Sequence, residues 1–136
     1  MDTGALVALR HAADDHHLQA KTCADRLAAE HLPLFASLPT IAETHNRLTY
    51  AAGPRSANLF LEAVFDGSVN LLRPDLDDET TARSLVGRYS YLPLSFTDAL
   101  NMALMTHYGI SVAFSFDRDF LEAGFFRIPP WGAAYR

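Results

Sequence analysis

Residues 94–120 read LSFTDALNMALMTHYGISVAFSFDRDF, and this stretch decides the fold class. Ser95 is a good N-cap for a helix that runs through Tyr108. The apolar run from Ile110 to Phe116 predicts a buried strand, and acidic residues follow it at once. Helices that alternate with short apolar strands indicate an α/β domain with a mainly parallel sheet.

The rest of the chain repeats this alternation. Asp14 or Asp15 is expected to cap the helix that starts at His16. A Pro-Pro-Trp tail follows the last predicted strand. Further helices are predicted over Thr3–Arg10, from His16 to about Glu30, from Pro39 to about Ala52, over Arg55–Phe65, from Asp75 to Tyr89 and over Arg118–Ala123; further strands are predicted over Leu32–Ser37, Val69–Leu72 and Phe125–Ile128.

Length and composition indicate one folded domain over residues 1–136. Hydrophobic residues make up 49% of the chain and charged residues 20%, which excludes a disordered protein. No apolar run reaches the roughly 18 residues that a membrane helix needs. A single cysteine, Cys23, excludes an internal disulfide and a cysteine-rich zinc site. The first residues lack the basic region of a secretory signal, so we expect a cytoplasmic protein.

The net charge restricts the kinds of partner. Sixteen acidic residues against 11 basic ones give a formal charge of −5. That balance argues against a large basic surface for duplex DNA. It leaves nucleic acid open as a substrate if metal ions mediate the contact.

Acidic residues follow or open several of the predicted elements. Asp2 precedes the first helix, Glu43 and Asp98 lie in the first turns of two others, and Asp117 and Asp119 follow the strand that ends at Phe116. Because sites in parallel sheets gather at the carboxyl ends of the strands, we expect these carboxylates to meet at one edge. One acid at a helix start is explained by capping, but several at one edge repel each other unless a cation lies between them.

The chemistry of such a cluster points to a hard divalent cation. Carboxylate oxygens without cysteine favour Mg²⁺ or Mn²⁺. Carboxylates that hold one or two such ions are what phosphodiester hydrolysis needs, since the ions activate water and neutralise the leaving oxygen. The sequence Asp2-Thr3-Gly4 also matches the motif of aspartic proteases, but that motif belongs after a strand of an all-β fold and here it precedes a helix.

Four segments together resemble PIN domains of the kind found in VapC toxins of bacterial toxin–antitoxin pairs. In chain order they are DTGALVAL (2–9), TIAETHNRL (40–48), LSFTDALNMALMTHYGI (94–110) and AFSFDRDFLEAGF (113–125). The resemblance implies a Rossmann-like three-layer sandwich, with a central sheet of four to five short strands and helices on both faces. It also implies an Mg²⁺- or Mn²⁺-dependent endoribonuclease.

The resemblance assigns roles residue by residue. Asp2, Glu43, Asp98 and Asp117 correspond to the family's acidic quartet, which binds metal and carries catalysis. Thr97 and Asp119 would support it. The implied partners are an RNA substrate, a cognate antitoxin and a second copy of the chain in a homodimer, the latter through the helices at Pro39–Ala52 and Arg55–Phe65.

The sequence departs from the family pattern at its start, because only Met1 precedes Asp2. We therefore expect the first strand to be missing or stunted and the ordering of Asp2 to be in question. Two alternatives stay open from the sequence. One is a PIN-fold binding module with a weak or idle metal site, and the other is a nuclease of housekeeping RNA processing without an antitoxin.

Overall fold

The computed structural model of the protein describes residues 1–130, so Trp131 of the expected tail lies outside the described residues. A five-residue π-helical turn over Val64–Ser68 follows the fourth helix. In the described residues the helices are α1 (Thr3–Arg10), α2 (His17–Ala29), α3 (Leu38–Ala52), α4 (Pro54–Ala63), α5 (Leu76–Arg88), α6 (Phe96–His107) and α7 (Asp119–Glu122), and the strands are β1 (Phe35–Ser37), β2 (Asn70–Leu72), β3 (Val112–Phe114) and β4 (Phe126–Ile128).

Helix ends follow the local sequence in most places. The Ser95 hydroxyl accepts a hydrogen bond from the Asp98 N–H at 3.0 Å and so caps α6. Gly53 ends α3 with a φ of 92°, a conformation that glycine adopts without strain. The expected cap of α2 is wrong: His16 is the N-cap residue, without a side-chain cap. Asp14 lies two residues before this N-cap and accepts from the His16 N–H, so its side chain does not reach the free N–H groups of the helix.

The strands form two parallel pairs. Strand β1 pairs with β2 and places Ala36 opposite Leu71, while β3 pairs with β4 and places Ala113 opposite Arg127. Each strand is only three residues long, shorter than the apolar runs that predicted β1 and β3. The apolar runs are therefore longer than the hydrogen-bonded strands. An apolar side chain can be buried in the core even where its backbone does not pair with a neighbouring strand.

The chain start bridges the two pairs. The Met1 amine donates to the Phe35 carbonyl of β1 at 2.7 Å, and the Asp2 N–H donates to the Phe114 carbonyl of β3 at 3.1 Å. Successive N–H groups that point to opposite neighbours are the pattern of a strand lying between two others. Met1 and Asp2 thus join the two pairs without forming a strand of their own, which confirms the expectation of a missing or stunted first strand. Beside these two residues, a mainly apolar groove of about 630 Å³ runs between β1 and β3.

Apolar packing places helices on both faces of β3. Phe114 packs in a cluster with α1 and α2, whereas its neighbour Ala113 packs in another with α5, α6 and α7. Adjacent strand residues point to opposite faces, so β3 is covered on both. A third cluster joins α1, β1, α3 and α4. This is the α/β arrangement expected from the alternation of helices and strands. None of the helices in residues 1–130 has the length and apolar character to cross a membrane.

Candidate active site

An open cavity of about 540 Å³ lies where the predicted acids meet. All four members of the expected quartet line it, although they come from four separate segments of the chain. Arginine side chains from α3 and from the segment after β3 also reach it. The lining residues are Asp2, Thr3, Gly4, Glu43, Arg47, Asp98, Phe116, Asp117 and Arg118.

Asp2 is firmly held despite its place at the chain start. Its backbone bonds to β3, its Oδ1 accepts from the Ala5 N–H at 2.8 Å as the N-cap of α1, and its Oδ2 accepts from the Ser115 hydroxyl. The residue is 7% exposed. Burial raises the pKa of Asp2, and the hydrogen bonds from Ser115 and Ala5 oppose that shift.

Ser115 connects two of the acids. Besides donating to Asp2, its Oγ accepts from the Asp117 N–H at 2.9 Å. The Asp117 carboxylate in turn accepts from the Asp119 N–H at 2.9 Å. The turn after β3 is therefore ordered by side chains that bond to its own backbone. Asp117 itself is exposed, so its carboxylate faces the open cavity.

Glu43 and Asp98 enter the cavity from two helices. Both side chains are half-buried. Burial raises the pKa of Asp98 to about 6, with Asp2, Asp117 and Glu43 adding to the shift and the Ser95 hydrogen bond opposing it. The charges of the three other acids thus reach Asp98 across the cavity.

The two supporting residues have different surroundings. Thr97 is half-buried in the first turn of α6, directly before Asp98. Asp119 is 8% exposed and opens the short helix α7. Neither Thr97 nor Asp119 is among the residues that line the cavity. Burial raises the pKa of Asp119, and the charges of Asp117 and Glu122 add to that shift.

The donor set of the cavity fits a hard divalent cation. Its four carboxylates supply oxygen atoms alone, the ligands that Mg²⁺ and Mn²⁺ prefer. Within the described residues, three potential ligand atoms come within 4.8 Å of one another at a different place, formed by Asp75, Asp78 and His107. No three ligand atoms of the quartet come that close together among the described residues.

The group at Asp75, Asp78 and His107 has a structural explanation. Asp75 and Asp78 form a reciprocal capping box at the start of α5, with bonds of 2.8 and 2.9 Å. His107 at the end of α6 pairs with Asp78 at 2.9 Å and ties the two helices together. Burial alone would raise the pKa of Asp78, but the hydrogen bonds from Asp75 and His107 lower it on balance.

Sequence reasoning missed the polar side chains behind the acids. For Ser115, a hydroxyl two residues before an acid at a strand end is a usable signal. For the buried group of Ser37, Thr40 and Asn101, the residues lie more than 60 positions apart in the chain and only the fold brings them together.

Carboxylates that converge from four segments at the edge of an α/β fold define a class, the nucleases that work with bound metal ions. The chain belongs to the PIN domain family, whose model matches residues 1–126. The nucleases of this family are metal-dependent.

The similar proteins of known function are VapC-type toxins. The 23S rRNA-specific endonuclease VapC20 of Mycobacterium tuberculosis, from strain H37Rv and from strain CDC 1551, is 32% identical over 131 residues, which cover 96% of this chain and 97% of the relative. The crystal structure of Mycobacterium tuberculosis VapC20, described as a Sarcin-Ricin loop cleaving toxin, superposes with a TM-score of 0.81 and covers 91% of this chain and 93% of that one. This chain is thus a homologue of a toxin ribonuclease.

Proposed function

We propose that the whole chain, residues 1–136, works as one domain and is the toxin of a VapBC-like pair, with Asp2, Glu43, Asp98 and Asp117 as its metal-binding and catalytic residues. The observation that carries this proposal is that these four acids line one cavity although they come from four segments. Thr97, directly before Asp98, would support them through its hydroxyl, and Asp119 would act as a fifth acid.

The proposed cofactor is Mg²⁺ or Mn²⁺. When bound, such an ion lowers the pKa of water and neutralises charge on the leaving oxygen. The residues of the chain supply the rest. Asp2 and Asp117 are held in place through Ser115, and the exposed Arg47 lies one helical turn beyond Glu43, where its guanidinium can pair with a phosphate.

The proposed substrate is a structured RNA with an exposed loop. This follows from the relative, whose described target is the sarcin–ricin loop of 23S rRNA. Because the chain has a net charge of −5, we expect RNA binding to depend on the bound cation more than on basic surface. A ribosomal target would place the protein in the cytoplasm.

A cleavage assay tests this function. The substrates are a hairpin that carries the sarcin–ricin loop and a hairpin with the same stem and a scrambled loop, each incubated with Mn²⁺ or with EDTA. We expect a single cut in the native loop with Mn²⁺ and none with EDTA. Cleavage that persists in EDTA contradicts the metal site. Binding without any cleavage identifies the chain as a binding module instead.

The proposed protein partners are a second copy of the chain and an antitoxin. Of the apolar side chains on the helices expected to pair, Phe60 is buried in the core, whereas Tyr50, Leu59 and Phe65 are 85%, 54% and 61% exposed. Exposed apolar side chains on neighbouring elements are typical of an interface. Light scattering of the isolated protein should give twice the 15.0 kDa of one chain, and Leu59→Lys should reduce it to one.

A mass of one chain at micromolar concentration contradicts the homodimer. In that case these residues stay available to an antitoxin. A toxin also predicts that a short reading frame for a DNA-binding protein lies beside this gene, whereas a housekeeping nuclease does not.

A further inference from the structure

Three buried polar side chains form a closed network behind the acidic cavity. Asn101 on α6 donates from Nδ2 to the Thr40 hydroxyl of α3 at 2.8 Å, and its Oδ1 accepts from the Ser37 hydroxyl. Ser37 also caps α3 by accepting from the Thr40 N–H at 3.2 Å. Ser37, Thr40 and Asn101 are 3%, 0% and 8% exposed. The network is therefore shielded from water and satisfied by its own members.

The network lies one helical turn from two members of the quartet. Asn101 follows Asp98 by three residues on α6, and Thr40 precedes Glu43 by three residues on α3. Residues three apart lie on the same side of a helix. The bonds of the network fix the position of α3 relative to α6. If that position changes, the carboxylates of Glu43 and Asp98 move relative to each other.

Apolar packing does not fix the two helices against each other in one cluster. Ile41 and Leu48 of α3 pack with α1, β1 and α4. Leu100 and Met102 of α6 pack in a different cluster with α5, β3 and α7. The hydrogen bonds of Asn101 join the two clusters at the point where the acids converge.

A polar network is not the only way to fill this space. Replacing all partners of a buried hydrogen-bonded group by apolar groups of the same shape is often neutral for stability. What apolar side chains cannot supply is a directional bond that sets one helix against another. Hydrogen-bonded residues behind metal ligands commonly control metal affinity by that means.

We propose that Asn101 is a positioning residue, which sets the separation of Glu43 and Asp98 through its bonds to Ser37 and Thr40 and so controls divalent-cation affinity. This inference rests on the proposed metal site. It assigns to Asn101 no contact with substrate or with the reacting atoms.

The test separates positioning from stability. Asn101→Leu removes the shared partner of the Ser37 and Thr40 hydroxyls, which keep only the bond of 3.1 Å from Ser37 to Thr40. We therefore expect a lower melting temperature in EDTA and Mn²⁺ binding weakened by about tenfold or more. The double variant Thr40→Val with Asn101→Leu removes both partners and keeps the Ser37 cap. Its buried Ser37 hydroxyl has no acceptor left, so its melting temperature should stay below that of the wild type. Mn²⁺ binding should also stay weak when it is measured by calorimetry well below the melting temperature, where all of the protein is folded and a loss of stability alone leaves the affinity unchanged.

Two single variants, Thr40→Val and Thr106→Val, complete the comparison. Thr40→Val alone keeps the bond between Asn101 and Ser37 and should weaken Mn²⁺ binding less than the double variant does. Thr106→Val, at the far end of α6, is the matched control and should bind Mn²⁺ like the wild type. In the double variant, RNA cleavage should need a higher Mn²⁺ concentration than in the wild type, and KM for RNA at a fixed low Mn²⁺ concentration should rise, because RNA binding is expected to depend on the bound cation.

Two results would overturn the inference, and each is distinguishable from failure of the proposed function. If the double variant binds Mn²⁺ as tightly as the wild type while Asp98→Asn does not, the metal site stands and Asn101 is merely structural. If Asp98→Asn also binds Mn²⁺ like the wild type, the proposed metal site is wrong, and the proposed role of Asn101 is then wrong as well.

Discussion

The hydroxyl of Ser115 donates a hydrogen bond to the carboxylate of Asp2, 113 residues earlier in the chain. The same hydroxyl accepts from the backbone of Asp117. One side chain therefore sets the distance between the acid at the chain start and the acid after β3. In metal sites, hydrogen-bond partners of the ligands matter nearly as much as the ligands themselves.

Replacing Ser115 by alanine should separate the two acids. We expect Mn²⁺-dependent cleavage to fall by about tenfold to a hundredfold and the free energy of unfolding to fall by about 1–2 kcal/mol, because Asp2 loses a buried partner. Cleavage kinetics and chemical denaturation measure the two effects. Ser111→Ala, an exposed serine before β3, is the control and should change neither. Wild-type cleavage by the Ser115 variant would show that the turn holds Asp117 without this bond.

The groove between β1 and β3 predicts the effect of lengthening the chain start. The Met1 amine is buried there, and burial lowers its pKa. Four apolar β-forming residues added before Met1 span about 13 Å as a strand, and they can donate alternately to β1 and β3. We expect such an extension to raise the melting temperature by several degrees, whereas a Gly-Ser extension of the same length does not. Equal melting of the two extended proteins would show that the groove does not accept a strand.

The raised pKa of Asp98 predicts how metal binding depends on pH. Its folded-state pKa of about 6 lies above the ordinary value of 3.8, so the folded protein binds this proton more tightly than the unfolded chain. The resulting stabilisation of the metal-free protein is complete below about pH 4 and is lost as the pH rises through 6. Mn²⁺ competes with the same proton, so its affinity should fall by about tenfold per pH unit below 6.

Calorimetric titrations between pH 5 and 7.5 check this dependence. An affinity that stays constant over that range would show that no acid of the cavity titrates there. Unfolding in EDTA gives the second half of the test, since the metal-free protein should lose stability across the same range. Salt must be held constant, because exposed charges are screened by ions.

Local chemistry explains why much of the fold could be predicted. Ser95 caps a helix because its hydroxyl reaches the Asp98 N–H, and Gly53 ends one because its φ is positive. That acidic residues meet at one edge was predicted because parallel strands bring their carboxyl ends together. Which four of them form the quartet was implied by the resemblance to PIN domains. These features depend on a few neighbouring residues or on a general rule of topology, so they can be predicted from the sequence.

Other features depend on contacts between distant segments. The apolar run from Ile110 to Phe116 does not indicate where strand pairing ends. In the structure, the pairing of β3 with β4 ends at Phe114. Neither Asn101 nor Ser37 carries a signal that it will be buried, because each is an ordinary polar residue beside a helix start or within a helix. The position of Asp2 also required the fold, since two of its four hydrogen bonds join it to β3 and to Ser115, far away in the chain.

The central claim is that the four acids form a metal-dependent catalytic site, and Asp98→Asn tests it most directly. The substitution keeps the shape of the side chain but removes one charge and one hard ligand. Melting in EDTA and in excess Mn²⁺ is compared with RNA cleavage for the variant, the wild type and the control Asp77→Asn. Asp77 is an exposed acid in the first turn of α5, as Asp98 is an acid in the first turn of α6.

For Asp98→Asn we expect cleavage to fall by orders of magnitude and the stabilisation by Mn²⁺ to shrink. Metal-free stability should hold or rise by about 1 kcal/mol, because repulsion among the acids is relieved. Asp77→Asn should leave cleavage unchanged. A variant of Asp98 that melts several degrees lower in EDTA, yet still cuts RNA at the wild-type rate, would contradict the account, since Asp98 would then be a structural acid and not a metal ligand.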